Sequence, residues 1–148
     1  MHTARRFAAM FLATLVVFVL LDAAWLWLVG LKMFQNHVGS ILRPEPMLGA
    51  VIAFYPVYAV GLVVLAVQPA VAARSLAAAA LKGALLGLTA YATFDLTNLA
   101  VIKGWTIGLA SMDIAWGVVG SAIAALAGYA AGSRFSSRPA QSFCEERY

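Results

Sequence analysis

The stretch FAAMFLATLVVFVLLDAAWLWLVGL, residues 7–31, decides the fold class, because Asp22 is its only charged residue. A helix of about 20 apolar residues crosses the hydrocarbon core of a bilayer. Three more apolar spans follow in the chain, at about residues 48–70, 77–102 and 108–131. The sequence therefore predicts an all-α polytopic membrane protein, a bundle of four transmembrane helices.

The composition is typical of a membrane-embedded chain. It is 64% hydrophobic and 11% charged over 148 residues, whereas soluble domains carry about 25% charged residues. We predict one transmembrane domain over residues 1–132 and a disordered cytoplasmic tail over the polar residues 133–148. The single cysteine, Cys144, supports neither a disulfide framework nor a metal site. We expect no metal and no cofactor, and membrane lipid as the surrounding partner.

The Lys and Arg residues are distributed unevenly between the two sides of such a bundle. Four spans place seven of them on the side of the N-terminus and three on the other side: Arg5, Arg6, Arg74, Lys82, Arg134, Arg138 and Arg147, against Lys32, Arg43 and Lys103. Cytoplasmic loops carry the excess of basic residues, so we expect both termini in the cytoplasm. Because these residues are scattered at helix ends, they do not indicate a nucleic-acid partner.

Three carboxylates, Asp22, Asp95 and Asp113, lie inside apolar spans. Each costs at least about 2.5–3.5 kcal/mol when it is charged at a helix centre. Because consecutive helices run in opposite directions, all three fall in the outer half of the membrane, and the second helix brings Tyr55 and Tyr58 to the same level. Crowded carboxylates repel each other, which favours a proton on at least one of them. We therefore predict an outward-facing polar pocket within the membrane, closed at its cytoplasmic end.

The third helix carries its polar residues on one face. Tyr91, Asp95 and Asn98 follow the spacing i, i+4, i+7 of a single helical face. Gly83 and Gly87 continue this stripe toward the cytoplasm. Small residues at this spacing let transmembrane helices approach closely, so we expect a tightly packed cytoplasmic half.

The pattern Asp-x-x-Trp occurs twice, at residues 22–25 and 113–116. A buried indole N–H needs an acceptor, so we expect it to donate to a carboxylate on a neighbouring helix. Trp25, Trp27 and Trp105 also fit an interfacial aromatic belt, and this alternative stays open for them. The candidate ligand-binding or proton-binding residues are Asp22, Asp95, Asp113, Tyr91, Asn98, Tyr55, Tyr58, Trp25 and Trp116.

Four segments, LDAAWL (21–26), FYPVYAVG (54–61), YATFDLTNLA (91–100) and DIAWG (113–117), resemble the signature blocks of a bacterial family of inner-membrane proteins, DUF2177. The resemblance covers nearly all of the chain up to about Gly132. It implies four spans and a location in the inner (plasma) membrane, and it supplies no reaction. Members of the family are often encoded near lipid-modifying enzymes, which is an association and not a mechanism.

Three functions remain open from the sequence. The first is a proton-linked carrier or binding protein for a small cationic or amphipathic solute, expected as a homodimer because four helices are few for a pathway. The second is an enzyme or accessory subunit in membrane-lipid modification, although no nucleophile or cofactor motif supports an enzyme. The third is a structural or assembly factor, in which the polar residues fix helix register. We favour the first function and a non-enzymatic role.

Overall fold

The computed structural model describes residues 2–135, which form four long helices and no strand. The first helix consists of His2–Trp25, a π-helical turn at Leu26–Gly30, and Leu31–Val38; the second consists of Leu48–Leu62, a π-helical turn at Val63–Val67, and Gln68–Ala72; the third is Leu76–Val101 and the fourth is Ile107–Ser133. All four are long and apolar enough to cross a membrane. The predicted all-α bundle of four transmembrane helices is confirmed. Most of the predicted tail, residues 136–148, lies outside the described residues.

The third and fourth helices make the most extensive contact in the bundle. Their glycines make this contact close: a Cβ on Gly87 would overlap the carbonyl oxygen of Gly117 and lie 2.6 Å from Ser121 Oγ. A Cβ on Gly83 would lie 2.6 Å from the Cβ of Ala125. The stripe of small residues is therefore a close-packing interface, as the sequence predicts.

The first helix packs against another face of the fourth helix. Glycines again allow the approach, because Thr14 lies on Gly128 and Met10 lies on Gly132. Phe18 is fully buried in the apolar core that these helices share with the second helix. This core lies between the middle of the bundle and the end that holds residues 2 and 135.

The first helix extends further than the hydropathy profile predicts, to Val38 instead of residue 31. The added segment has polar residues on its exposed side, while Val38 is buried and Phe34 packs on the ring of Trp25. Gly30, in the π-helical turn, leaves space for the Trp25 ring, which a Cβ there would meet. The helix therefore continues beyond the apolar run because Phe34 and Val38, four residues apart on one face, pack against the bundle.

The second helix ends in a Schellman motif. The N–H of Ser75 donates to the carbonyl of Ala70 (3.1 Å), and the N–H of Arg74 donates to the carbonyl of Val71 (3.2 Å). Arg74 adopts the left-handed conformation (φ 51°) that this motif requires and that glycine usually fills. This tight turn places the third helix directly beside the last turns of the second.

The second and third helices separate toward the opposite end of the bundle. We call that end, which holds residues 39–47 and 102–106, the outer end, since the charge bias predicts that it faces away from the cytoplasm. Residues 63–72 of the second helix contact the third helix, whereas Leu48–Leu62 makes little contact with it. A groove therefore opens between these two helices in the outer half of the bundle.

Candidate functional site: a buried carboxyl cluster

Asp22 is buried between three helices, with 7% of its surface exposed. Its Oδ2 accepts a hydrogen bond from the hydroxyl of Tyr55 (2.8 Å), and its Oδ1 accepts one from the indole N–H of Trp116 (3.2 Å). The expected bond from an indole to a carboxylate on a neighbouring helix is confirmed for Trp116. Asp22 thereby connects the first helix to the second and the fourth.

Asp95 and Asp113 form a carboxyl pair between the third and fourth helices. Both are buried, with 0% and 5% of their surface exposed, and their side chains lie close to each other. Asp95 Oδ1 accepts a hydrogen bond from the indole N–H of Trp105 (3.2 Å). Asp95 Oδ2 is buried and accepts none from an N–H or hydroxyl group within residues 2–135. Two carboxylates this close repel each other, which favours a proton on one of them.

Tyrosines surround these carboxyls. The hydroxyls of Tyr58 and Ser121 are hydrogen-bonded at 2.7 Å, which joins the second helix to the fourth. The ring of Tyr91 lies on Gly117, where a Cβ would overlap it, and meets the ring of Tyr58 edge to face at 6.4 Å. The Tyr91 hydroxyl is close enough to the buried carboxyls to interact with them electrostatically.

Aromatic rings cover the three buried carboxyls on the side of the outer end. Trp25 stacks on Trp116, with ring centroids 5.6 Å apart and planes inclined by 10°. Phe34 lies between Trp25 (6.4 Å) and Trp105 (5.7 Å). These rings separate the carboxyls from the loops and lower the local dielectric constant, which strengthens electrostatic interactions below them.

The structure brings the candidate residues of the sequence into this one region, with Asn98 as the exception. Asn98 is half-buried one turn beyond Asp95, and its backbone carbonyl accepts from the N–H of Ile102 (2.8 Å) at the end of the third helix. Sequence reasoning missed Ser121 and treated Trp105 as an interface anchor. Ser121 lies eight residues after Asp113, two helical turns along the same face, and this spacing is a signal that could have found it.

A family model whose description is a predicted membrane protein, DUF2177, matches residues 7–130 of the chain. The chain belongs to this family. Comparison with curated proteins and with solved structures gives no match. This DUF2177 protein is a multi-pass membrane protein by its family and by its four apolar helices.

We call Asp22, Asp95 and Asp113 of this DUF2177 protein the carboxyl cluster. Within the described part of the chain, no Lys, Arg or His side chain forms a salt bridge with any of the three. Lys103, the cation nearest to Asp95 in the sequence, is exposed. A buried group of three carboxyls without a protein cation can stay neutral by binding protons, or it can bind an external cation.

The outward-facing polar pocket that the sequence predicts differs from the cavity that the DUF2177 protein has. The carboxyls are buried under aromatic rings, and a groove of about 600 Å³ lies beside them, between the second and third helices. Phe54 and Tyr58 form part of its wall, and Tyr58 also belongs to the polar network. The groove is open to the side, where the bilayer would be, instead of to water above the bundle.

Proposed function

We propose that this protein binds a small cationic or amphipathic solute at the carboxyl cluster and releases a proton from the Asp95–Asp113 pair in exchange. The observation that supports this function is the pair itself, in which a buried Asp95 oxygen has no hydrogen-bond donor among the described residues. Intramembrane carboxyls that share a proton are characteristic of proton relays and coupled carriers.

The proposed exchange has two steps, loss of the proton and entry of the cation. With one proton in place, the pair carries a single negative charge and is covered by Trp25, Trp116 and Trp105. Loss of the proton leaves two close negative charges, which favours entry of a cation between them. The aromatic faces next to the carboxyls would contribute cation–π attraction to that cation.

Two irregular turns provide a means of access. The π-helical turns at Leu26–Gly30 and Val63–Val67 interrupt the first and second helices. Such turns occur often at functional sites, since they change the direction of side chains at small cost. A shift of the first helix at its π-helical turn would move Trp25 off the cluster.

The proposed location is the inner (plasma) membrane of a bacterium, where a proton gradient can drive transport of the solute. A homodimer is the proposed assembly, because four helices enclose little space for a pathway. Its interface would use some of the many large apolar side chains that each helix exposes in the single chain.

The test is proton release on cation binding. We expect the purified protein in weakly buffered detergent to release a proton for each tetraphenylphosphonium ion that it binds, followed with a pH-indicator dye. Asp95→Asn and Asp113→Asn should abolish this release, because each removes a member of the proton-binding pair. Glu45→Gln, which changes an exposed carboxyl in the loop before the second helix, should leave it unchanged. Undiminished release by both Asn variants would contradict the proposal.

A second candidate function, in membrane-lipid modification as an enzyme or accessory subunit, is favoured by the lateral groove that Tyr58 borders. The composition of membrane lipids in a deletion strain separates the two: a changed composition favours this function, and an unchanged one removes it. A third, structural role is favoured by Asp22, whose two donors come from two other helices.

A further inference from the structure

The groove between the second and third helices has a defined shape. It encloses about 600 Å³ between residues 53–61 of the second helix and residues 86–93 of the third. This volume lies within the range of about 300–1,000 Å³ that small-molecule sites occupy. Gly61 is on its wall, and a Cβ there would meet no atom within 4 Å. Gly61 on the second helix therefore borders the open space of the groove.

The walls of the groove offer almost no free hydrogen-bonding groups. The hydroxyls of Thr89 and Thr93 donate to carbonyls of their own helix, those of Leu85 (2.8 Å) and Thr89 (2.6 Å). The hydroxyl of Tyr58 is bonded to Ser121. An occupant of the groove is consequently apolar where it contacts these walls, since a polar one would lose hydrogen bonds with water and gain none.

The length of the groove fits one leaflet. Residues 53–61 of a helix rise by about 12 Å, and half of the hydrocarbon core is about 15 Å thick. Because Leu48–Leu62 begins at the outer end, the groove lies largely in the leaflet at that end. It is open on the side that faces acyl chains, so the acyl chains of that leaflet are its immediate neighbours.

Exposed basic residues lie at the outer end of the bundle, toward which the groove runs. Arg43 precedes the second helix and Lys103 follows the third, and both are exposed at the outer end. Glu45 is the acidic residue of the same loop as Arg43. Basic residues just outside the hydrocarbon region attract lipid phosphates.

We propose that this groove is a phospholipid site: one acyl chain lies between the second and third helices, and the phosphate lies beside Arg43 and Lys103. The site is separate from the carboxyl cluster and does not depend on the proposed exchange of a cation for a proton. Tyr58 borders both, so a bound chain would press on the side chain that is hydrogen-bonded to Ser121.

Photo-cross-linking tests this site. The protein is reconstituted in phosphatidylcholine vesicles that contain phosphatidylglycerol with a diazirine in one acyl chain, and cross-linked peptides are identified by mass spectrometry. We expect cross-links concentrated in residues 53–61 and 86–93. Gly61→Leu fills the groove and should reduce them to the level of other lipid-facing surfaces. Gly49→Leu is the matched control, since Gly49 is on the same helix, has no atom within 4 Å of an added Cβ and lies outside the groove.

A second pair of variants tests whether the phosphate of the headgroup binds at the outer end. One further variant replaces Gly61→Leu if that protein does not fold. Lys103→Gln should lower the cross-linking yield, while Lys82→Gln, an exposed lysine in the first turns of the third helix, should not. Ala90→Leu fills the groove from the third helix and gives the answer if Gly61→Leu does not fold. Cross-links spread evenly over all lipid-facing surfaces, or unchanged in both filled variants, overturn the proposal. A dimer that carries no bound lipid in native mass spectrometry also overturns the proposal. Proton release is measured in a separate experiment, so the phospholipid site and the exchange of a cation for a proton can each be disproved without the other.

Discussion

At the scale of single residues, the carboxyls of this protein differ in how their oxygens are used. Both oxygens of Asp22 accept hydrogen bonds, from Tyr55 and Trp116. Asp95 has one such oxygen and one without a permanent donor. Asp22 therefore has the features of a structural contact between helices, while Asp95 retains capacity to bind a proton or a ligand. The sequence alone does not distinguish these residues, whereas their hydrogen-bonding partners in the structure do.

This difference predicts that Tyr55→Phe destabilises the bundle. The variant removes a hydrogen bond to a buried carboxyl, and such bonds between transmembrane helices contribute about 0.6 kcal/mol on average and up to about 1.7. We expect a loss in this range when unfolding is followed by circular dichroism during titration with sodium dodecyl sulfate. Tyr129→Phe is the control, because Tyr129 packs against the apolar core far from the cluster. An equal loss in both variants would mean that the bond to Asp22 contributes nothing specific.

At the scale of helices, the contact between the third and fourth helices holds the carboxyl pair together. Asp95 and Asp113 lie one to three turns from Gly87 and Gly117, where the two backbones touch. The distance between the carboxyls therefore depends on how closely the glycines let the helices approach. A side chain at this contact would separate the helices and weaken the pair.

Gly87→Ala should consequently be destabilising, in spite of the higher helix propensity of alanine. Its Cβ would overlap the Gly117 carbonyl, and overpacking of this kind costs about 1–3 kcal/mol. In Gly61→Ala the new Cβ enters open space, so that variant should be as stable as the wild type or more stable. Thermal unfolding of both variants in detergent measures the difference. A Gly87→Ala protein with unchanged stability would show that the third helix can move without cost.

The sequence predicts the helices well and the contacts between them in part. Hydropathy locates the four spans, and the i, i+4 stripe on the third helix correctly places Tyr91 beside Asp95 on one face. The sequence does not predict that the indole of Trp105 donates to Asp95. This bond depends on the turn at Gly104 (φ 91°), where a side chain would meet the carbonyl oxygen of His37. Contacts set by a loop conformation and by a distant helix leave little signal in local sequence.

At the scale of the whole molecule, the two ends of the bundle are built differently. The end that holds residues 2 and 135 is closed by glycines and small side chains, among them Gly83, Gly128 and Gly132. The outer end contains the carboxyl cluster, its aromatic cover and the groove. The side to which a proton is released and the leaflet that supplies the lipid therefore depend on which end faces the cytoplasm.

The excess of Lys and Arg predicts that the outer end faces away from the cytoplasm. Single cysteines test this in a Cys144→Ser background: Ser40→Cys lies in the loop at the outer end, and Ala73→Cys lies in the turn at the other end, both at exposed positions. In intact cells, a membrane-impermeant maleimide should label Ser40→Cys and should label Ala73→Cys only after permeabilisation. The reverse pattern would place the carboxyl cluster in the cytoplasmic half of the membrane. Proton release from Asp95 and Asp113 would then be toward the cytoplasm, and the groove would take its lipid from the inner leaflet.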